Sequence, residues 1–321
     1  MAVIAIDLGG TKVAGALFDS DGRVIHKDVS LLEKREGKEV GALIVSVTVR
    51  LREVAETDGR HVEAVGICVP GISYSKTGRV WAPNIPGWDD YPLLEEMHST
   101  FDPKRTLVSI DSDRACYILG EVWQGAAKGC TDAIFLAVGT GIGAGILAGG
   151  RILRGADDIA GAIGWSALDR PFMQKYVSCG CFEYHASGEG MAKVAREYLA
   201  ADKGYNGVLT SRPHSSITAR DLFEAWEVHD PIAEKVIAES IEFWGMATAN
   251  LVSLFNPEKI IFGGGVFGPA LRFLDAIMAE ARKWAQPISI NKVKLEGSLL
   301  GSDAGLCGAG YLALQSLSHR S

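Results

Sequence analysis

Short apolar runs closed by glycine recur along this chain. Residues 3–6 are apolar and end at Asp7, followed by Leu8-Gly9-Gly10-Thr11-Lys12, and residues 13–18 stay apolar until Ser20-Asp21-Gly22. That is the pattern of a strand, a tight glycine turn and a second strand. Residues 40–56 place apolar side chains at helical spacing, and residues 62–69 form an apolar strand that stops at Pro70-Gly71. Strand, strand, helix and strand in that order imply a mixed sheet with helices packed on it. The order restarts at residues 133–138, a strand, with a glycine turn over 139–143 and another strand over 144–147. A glycine turn between two strands, met twice, predicts two related lobes rather than a repeat array. Residues 157–188 follow neither period and read as a long irregular stretch. Residues 189–201, 219–228 and 231–255 read as helices, the last with Pro231 in the first turn, where a missing N–H costs nothing. A strand over 259–262 runs into Gly263-Gly264-Gly265.

Composition narrows the partners. The 321 residues are 47% hydrophobic, enough for a buried core in one large domain or two ordinary ones. The net charge of -7, from 39 acidic against 32 basic residues, comes with no long like-charge block, so no nucleic-acid partner is expected. No apolar run is long enough to cross a bilayer, and the N-terminal run meets Asp7 too early for a signal peptide. No membrane partner and a cytoplasmic location are expected. Cys68, Cys116, Cys130, Cys179, Cys181 and Cys307 lie mostly in apolar sequence, the setting of buried reduced thiols rather than of a disulfide framework.

Three glycine clusters stand at strand ends, where backbone N–H groups can approach a phosphate. Asp7, Gly9, Gly10, Thr11 and Lys12 form the first and add a carboxylate, a hydroxyl and a cation; a plain hairpin turn with an exposed lysine fits the same residues. Gly139, Thr140 and Gly141 open the second. The run Gly139-Thr140-Gly141-Ile142-Gly143-Ala144-Gly145 looks like a dinucleotide fingerprint, but residues 146–150 continue as strand and turn where that fingerprint needs a helix. It suits a phosphate-wrapping hairpin instead. Gly263, Gly264 and Gly265 make the third.

Together these three clusters resemble the sugar kinase, acetate kinase, actin and Hsp70 group, over residues 3–309. Taken with Ala82-Pro83-Asn84-Ile85-Pro86-Gly87-Trp88, Leu119-Gly120-Glu121, Ala160-Gly161 and Asn256-Pro257, they resemble within that group the ROK family. The resemblance implies a two-lobed α/β fold of the ribonuclease-H-like type with the active site in the interlobe cleft. The small lobe would be residues 1–114 plus 305–321, and the large lobe residues 115–304. It also implies transfer of the γ-phosphate of ATP, with Mg2+, to a sugar or cyclitol hydroxyl equivalent to O6 of a hexose, the three glycine clusters holding the nucleotide, and a homodimer. The family's base falls on Asp113 in Ser112-Asp113-Arg114-Ala115-Cys116-Tyr117-Ile118-Leu119-Gly120-Glu121, where ROK kinases read Asn-Asp-x-Asn before Leu-Gly-Glu. Of the Asn-Asp-x-Asn part only the aspartate is kept. A carboxylate there can take the proton of the attacking hydroxyl. Asp113 also stands where aspartate caps a helix, and both roles can hold at once. Asp111 has no counterpart in the motif and ranks second as base.

The acceptor side departs from the family. Gly71, Asn84, Ser112, Asp113, Ala162, Trp165 and Glu183 are the substrate-binding positions the resemblance implies, but Ala162-Ile163-Gly164-Trp165 stands where ROK hexose kinases carry Glu-x-Gly-His. Losing Glu and His gives up discrimination by paired hydroxyls and gains room and an aromatic face. An amino or acylamino sugar, a glycoside or a cyclitol thereby gains on plain glucose. The family's structural zinc uses that same histidine with three cysteines; only Cys179-Gly180-Cys181 is left here, so no structural zinc is expected. Packing by Trp165, Phe172, Met173 and Tyr176 is expected to hold residues 157–179 instead. Trp123, Trp226 and Trp244 read as core, and His26, His61, His98, His214, His229 and His319 as solvated. A ROK repressor would need a DNA-reading helix ahead of the first strand, which here begins at Val3, so a repressor is not expected. A non-catalytic sugar or nucleotide sensor is the remaining alternative, opposed by Asp113 and the intact glycine clusters.

Overall fold

The structure, a computed structural model, describes residues 1–318; His319 and the end of the expected small lobe lie outside the described residues. Its first sheet starts with three antiparallel strands, β1 (Ala2–Leu8), β2 (Lys12–Asp19) and β3 (Val24–Leu31). Helix α1 (Lys38–Thr57) leads to β4 (Val62–Val69), which pairs with β1 in parallel. A small hairpin, β5 (Ile72–Tyr74) and β6 (Arg79–Trp81), and a short helix α2 (Leu93–His98) precede β7 (Leu107–Ser112), parallel to β4. The order is β3-β2-β1-β4-β7, and α3 (Asp113–Gln124) follows β7 without a loop.

The second sheet repeats this plan. Strands β8 (Ala133–Val138), β9 (Ile142–Ala148) and β10 (Arg151–Ile152) precede helices α4 (Cys181–Ala186), α5 (Gly188–Ala201), α6 (Ala219–Trp226) and α7 (Pro231–Phe255). Then come β11 (Lys259–Gly263), α8 (Leu274–Trp284), β12 (Lys294–Gly297) and α9 (Ala304–Ser318). The order is β10-β9-β8-β11-β12, with β8 antiparallel to β9 and parallel to β11, and β11 parallel to β12. The glycine turn that recurs in the sequence is the first turn of each sheet.

Alternation along β1 buries the first sheet on both faces. Ile4, Ile6 and Leu8 pack with Val40, Ile44, Val47 and Leu51 of α1, while Val3 and Ala5 pack with Phe18, Cys116 and, from α9, Leu306, Ala309 and Ala313. Gly66 of β4 lets α9 lie close: a Cβ there would stand 1.9 Å from the Ala309 carbonyl oxygen. The second core gathers Ile134, Leu136, Ile260 and Phe262 of its strands with Met191 of α5, Leu222 of α6 and Trp244 of α7.

By its contacts the chain forms two compact units. One comprises Met1–Gly129, Ile152–Ala160 and the chain from Leu299 onward; the other comprises Cys130–Arg151 and Gly161–Ser298. The first unit runs past residue 114 because α3 packs along α9. It also takes in residues 152–160, a strap that periodicity leaves unassigned.

Several features differ from expectation. Strand β3 was not anticipated: it is an edge strand with Val24, Val29 and Leu31 exposed, and its polar interior hides the strand pattern. The irregular stretch contains α4 and brief 3₁₀ turns. Trp165 and Phe172 do not hold it together, being 58% and 71% exposed; Tyr176 is buried and Met173 partly so. His185 completes that packing, stacked on Phe243 at 4.5 Å with its Nε2 2.9 Å from the Tyr176 hydroxyl. Trp244 is core as expected, whereas Trp123 and Trp226 are half-buried. Among the described histidines expected in solvent, only His98 is half-buried. The six thiols are free, and no helix among the described residues is long and apolar enough to cross a membrane.

Candidate active site

In the first unit, Asp7 is the next-to-last residue of β1 and the Gly9 N–H donates to the Lys12 carbonyl at 2.9 Å, closing the β1–β2 turn. Gly10, Thr11 and Lys12 are exposed, so the edge of the turn is open to a ligand. Burial pushes the Asp7 carboxyl up; a hydrogen bond from the Cys68 thiol and the charge of Lys12 counter this, while Asp303 adds to it.

The β7–α3 junction carries the expected base. Ser112 is the helix cap, its hydroxyl oxygen accepting from the Ala115 N–H at 3.4 Å, so Asp113 is the first residue of the helix and not its cap. The Asp113 Oδ1 accepts from the Arg114 N–H at 2.8 Å. Burial pushes the Asp113 carboxyl up to about 6; the Arg114 charge and N–H pull it down and the Asp7 charge adds to the rise. Asp111, the second-ranked base, is committed elsewhere: Arg154 Nη1 meets its Oδ1 at 2.9 Å and Nη2 its Oδ2 at 2.6 Å.

Gly71 follows β4 at φ +88°, a left-handed conformation, and a Cβ there would lie 2.2 Å from the Trp81 carbonyl oxygen. Only glycine fits both demands. Its own carbonyl accepts from Arg114 Nη2 at 3.3 Å. Asn84 projects, exposed, from a compact turn in which the Ala82 N–H donates to Trp88 O at 2.8 Å. Trp88 anchors that turn: its indole Nε1 donates to Gly37 O at 2.9 Å and its ring stacks on Tyr91 at 4.3 Å. Glu121 of the Leu-Gly-Glu motif is fully buried, its Oε2 accepting from the Ala126 N–H at 2.7 Å and its Oε1 from the Leu300 N–H at 3.3 Å. It ties loops together.

In the second unit the Gly139 N–H donates to Gly141 O at 2.9 Å, and Gly139 O accepts from the Gly188 N–H at 2.8 Å, with Thr140 exposed at the tip. Glu183 lies under this turn. Its Oε2 accepts from the Ile142 N–H at 2.7 Å, and a Cβ on Gly141 would fall 2.7 Å from the same oxygen. Burial pushes the Glu183 carboxyl up, partly offset by that N–H and by Lys193. Gly264, at φ +89°, brings the end of β11 against β8, where a Cβ would stand 2.4 Å from Val138 O; Gly265 beyond it faces open space. Gly263 ends β11 itself. Ala162 precedes a 3₁₀ turn over Ile163–Trp165 whose Trp165 N–H donates to Ala162 O at 3.2 Å.

The first unit thus contains Asp7, Gly9, Gly10, Thr11, Lys12, Gly71, Asn84, Ser112 and Asp113, and the second Gly139, Thr140, Gly141, Ala162, Trp165, Glu183, Gly263, Gly264 and Gly265. Arg114 and Arg154 were missed in the sequence. The only signal for Arg114 was its place beside the base, and Arg154 gave none. Among the described residues, no group of three or more His, Cys, Asp or Glu side chains could hold a metal ion.

Residues 3–316 match the model of the ROK family. A glucokinase of Halalkalibacterium halodurans is 32% identical, over 97% of this chain and 94% of its own. The solved ROK hexokinase of Thermus thermophilus is 30% identical with a TM-score of 0.80, covering 99% of this chain and all of that one. A ROK family glucokinase of Streptomyces griseus, solved with glucose and AMPPNP, is 28% identical with a TM-score of 0.74, over 98% of this chain and all of its own.

Proposed function

The chain belongs to the ROK family and is a carbohydrate kinase, and from that premise we propose that it moves the γ-phosphate of ATP to the O6-equivalent hydroxyl of a hexose or hexose derivative, with Asp113 as general base. The observation that carries this reading is the Asp113 carboxyl, held by burial near pH 6 at the start of α3 beside Asp7 and its glycine turn. A base near the working pH is mostly ionised yet strong enough to draw off the proton of an attacking alcohol. The turns over residues 9–12 and 139–141, exposed at Gly10, Thr11, Lys12 and Thr140, offer backbone N–H groups and the Thr11 and Thr140 hydroxyls to phosphate oxygens, and Lys12 adds a positive charge.

Mg2+ borne by the nucleotide would supply neutralisation of phosphate charge. The donor set suits a nucleotide-borne ion: among the described residues no group of three or more His, Cys, Asp or Glu side chains could hold a resident metal. On the acceptor side, the glucose held by the Streptomyces relative makes a hexose the starting expectation. The Ala162 side chain offers no hydrogen bond and Trp165 is exposed, which favours an acceptor with an added acyl group or aglycone. The test is ADP release with MgATP across hexoses, acylamino sugars, glycosides and cyclitols. Acceptor-dependent release supports a kinase and identifies its acceptor. ATP binding without release for any acceptor would favour a sensor.

A further inference from the structure

The strap of residues 152–160 grips the chain on both sides of Asp113, and we propose that its Arg154 is a positioning residue for that base. On the N-terminal side, Arg154 holds Asp111 through two parallel bonds, 2.9 and 2.6 Å, and Asp111 is only 2% exposed. The Asp111 Oδ1 also accepts from the Ser112 N–H at 2.8 Å. On the C-terminal side, the Arg114 guanidinium donates to Ile159 O of the strap at 3.5 Å and to Gly71 O at 3.3 Å. The strap is itself secured. The Ala160 N–H donates to Arg154 O at 3.0 Å, and Asp158, 4.0 Å from Arg154 Nη1, accepts from both the N–H and the hydroxyl of Ser75 at 3.0 Å.

A guanidinium fork on a carboxylate fixes orientation as well as distance. Because β7 passes into α3 with no residue between, the orientation of Asp111 carries through Ser112 to Asp113. The charged and titratable groups facing Asp113 are Asp7 from β1, Cys68 from β4, and Arg114, Cys116 and Tyr117 on α3 itself. Asp111 faces Arg154 and Cys116, with Asp158 across the guanidinium. Without Arg154, the Asp111 carboxyl stays buried two residues from the base with no guanidinium to orient it. Any negative charge it keeps there opposes a second one at Asp113.

This inference rests on Asp113 being the base. The experiment compares purified Arg154→Met, Arg154→Lys and Arg154→Met/Asp111→Asn with wild type in kcat, acceptor KM and the pH profile of kcat/KM. Arg154→Met is expected to lose about 10- to 100-fold in kcat with acceptor KM within about 3-fold, and its acidic limb moves to higher pH. Arg154→Lys keeps the charge and loses the fork, so its limb stays in place while kcat falls. Removing both partners returns the limb to its wild-type position with kcat still low. If Arg154→Met does not fold, the lysine variant against the pair-deleted variant makes the same comparison. Wild-type kcat and an unmoved limb in the folded variants, with only a lower melting temperature, would overturn the proposal. Full turnover by Asp113→Asn would instead sink the base assignment, whatever the Arg154 variants do.

Discussion

Asp113 and Ser112 are neighbours with divided labour. Either residue type caps helices, and the sequence offered Asp113 for both cap and base. The backbone assigns the cap to the serine, which accepts the Ala115 N–H, while the aspartate accepts the Arg114 N–H from the first position of the helix. Ser112→Ala is therefore expected to cost about 1 kcal/mol of stability in urea denaturation, with acceptor KM near wild type. A large rise in KM would mark Ser112 as an acceptor contact after all. The place of Asp113 at the start of a helix was legible because the local sequence marks a helix start there. The pairing of Asp111 with Arg154 could not be read because the two lie 43 residues apart, a separation no local pattern encodes.

At the level of elements, the glycine turns were readable because each is local: an apolar run, a glycine break, another apolar run. What lies beneath them was not. Glu183 was expected to face the sugar, yet one of its oxygens supports the Gly139–Gly141 turn through Ile142. Glu183→Ala is expected to raise the KM for ATP by about 10-fold, the loss of one buried charge-assisted bond, whereas Glu183→Gln keeps an acceptor oxygen and much of the affinity. An unchanged ATP KM in the alanine variant would limit Glu183 to the acceptor. Gly71→Ala combines a positive φ with a Cβ 2.2 Å from a backbone oxygen, so it is expected to destabilise by about 1–3 kcal/mol or more. Residues 157–188 resisted prediction because Tyr176, His185 and Phe243, which help hold them, come from separate segments.

For the molecule as a whole, two sheets of one strand order were foreshadowed by the repeated glycine turn, while their corresponding edge strands β3 and β10 were read in neither half. The cost of the base is also a property of the whole fold. Asp113 binds its proton more tightly folded, near 6, than at its ordinary 3.8, so its contribution to stability is fully present below pH 3.8 and lost as pH rises through about 6. Asp113→Asn is accordingly expected to be more stable than wild type at pH 7.5, by roughly 1–3 kcal/mol, with the gap closing below pH 4. Urea denaturation at the two pH values checks it. The most direct test of the account is the pH dependence of kcat/KM for wild type and Asp113→Asn, using the best acceptor from the ADP-release panel. The account predicts a wild-type rate that climbs about tenfold per pH unit below about 6 and is flat above, and a variant about 10²- to 10⁴-fold slower with no such limb. A variant near wild-type rate, or one that keeps the same limb, would contradict it.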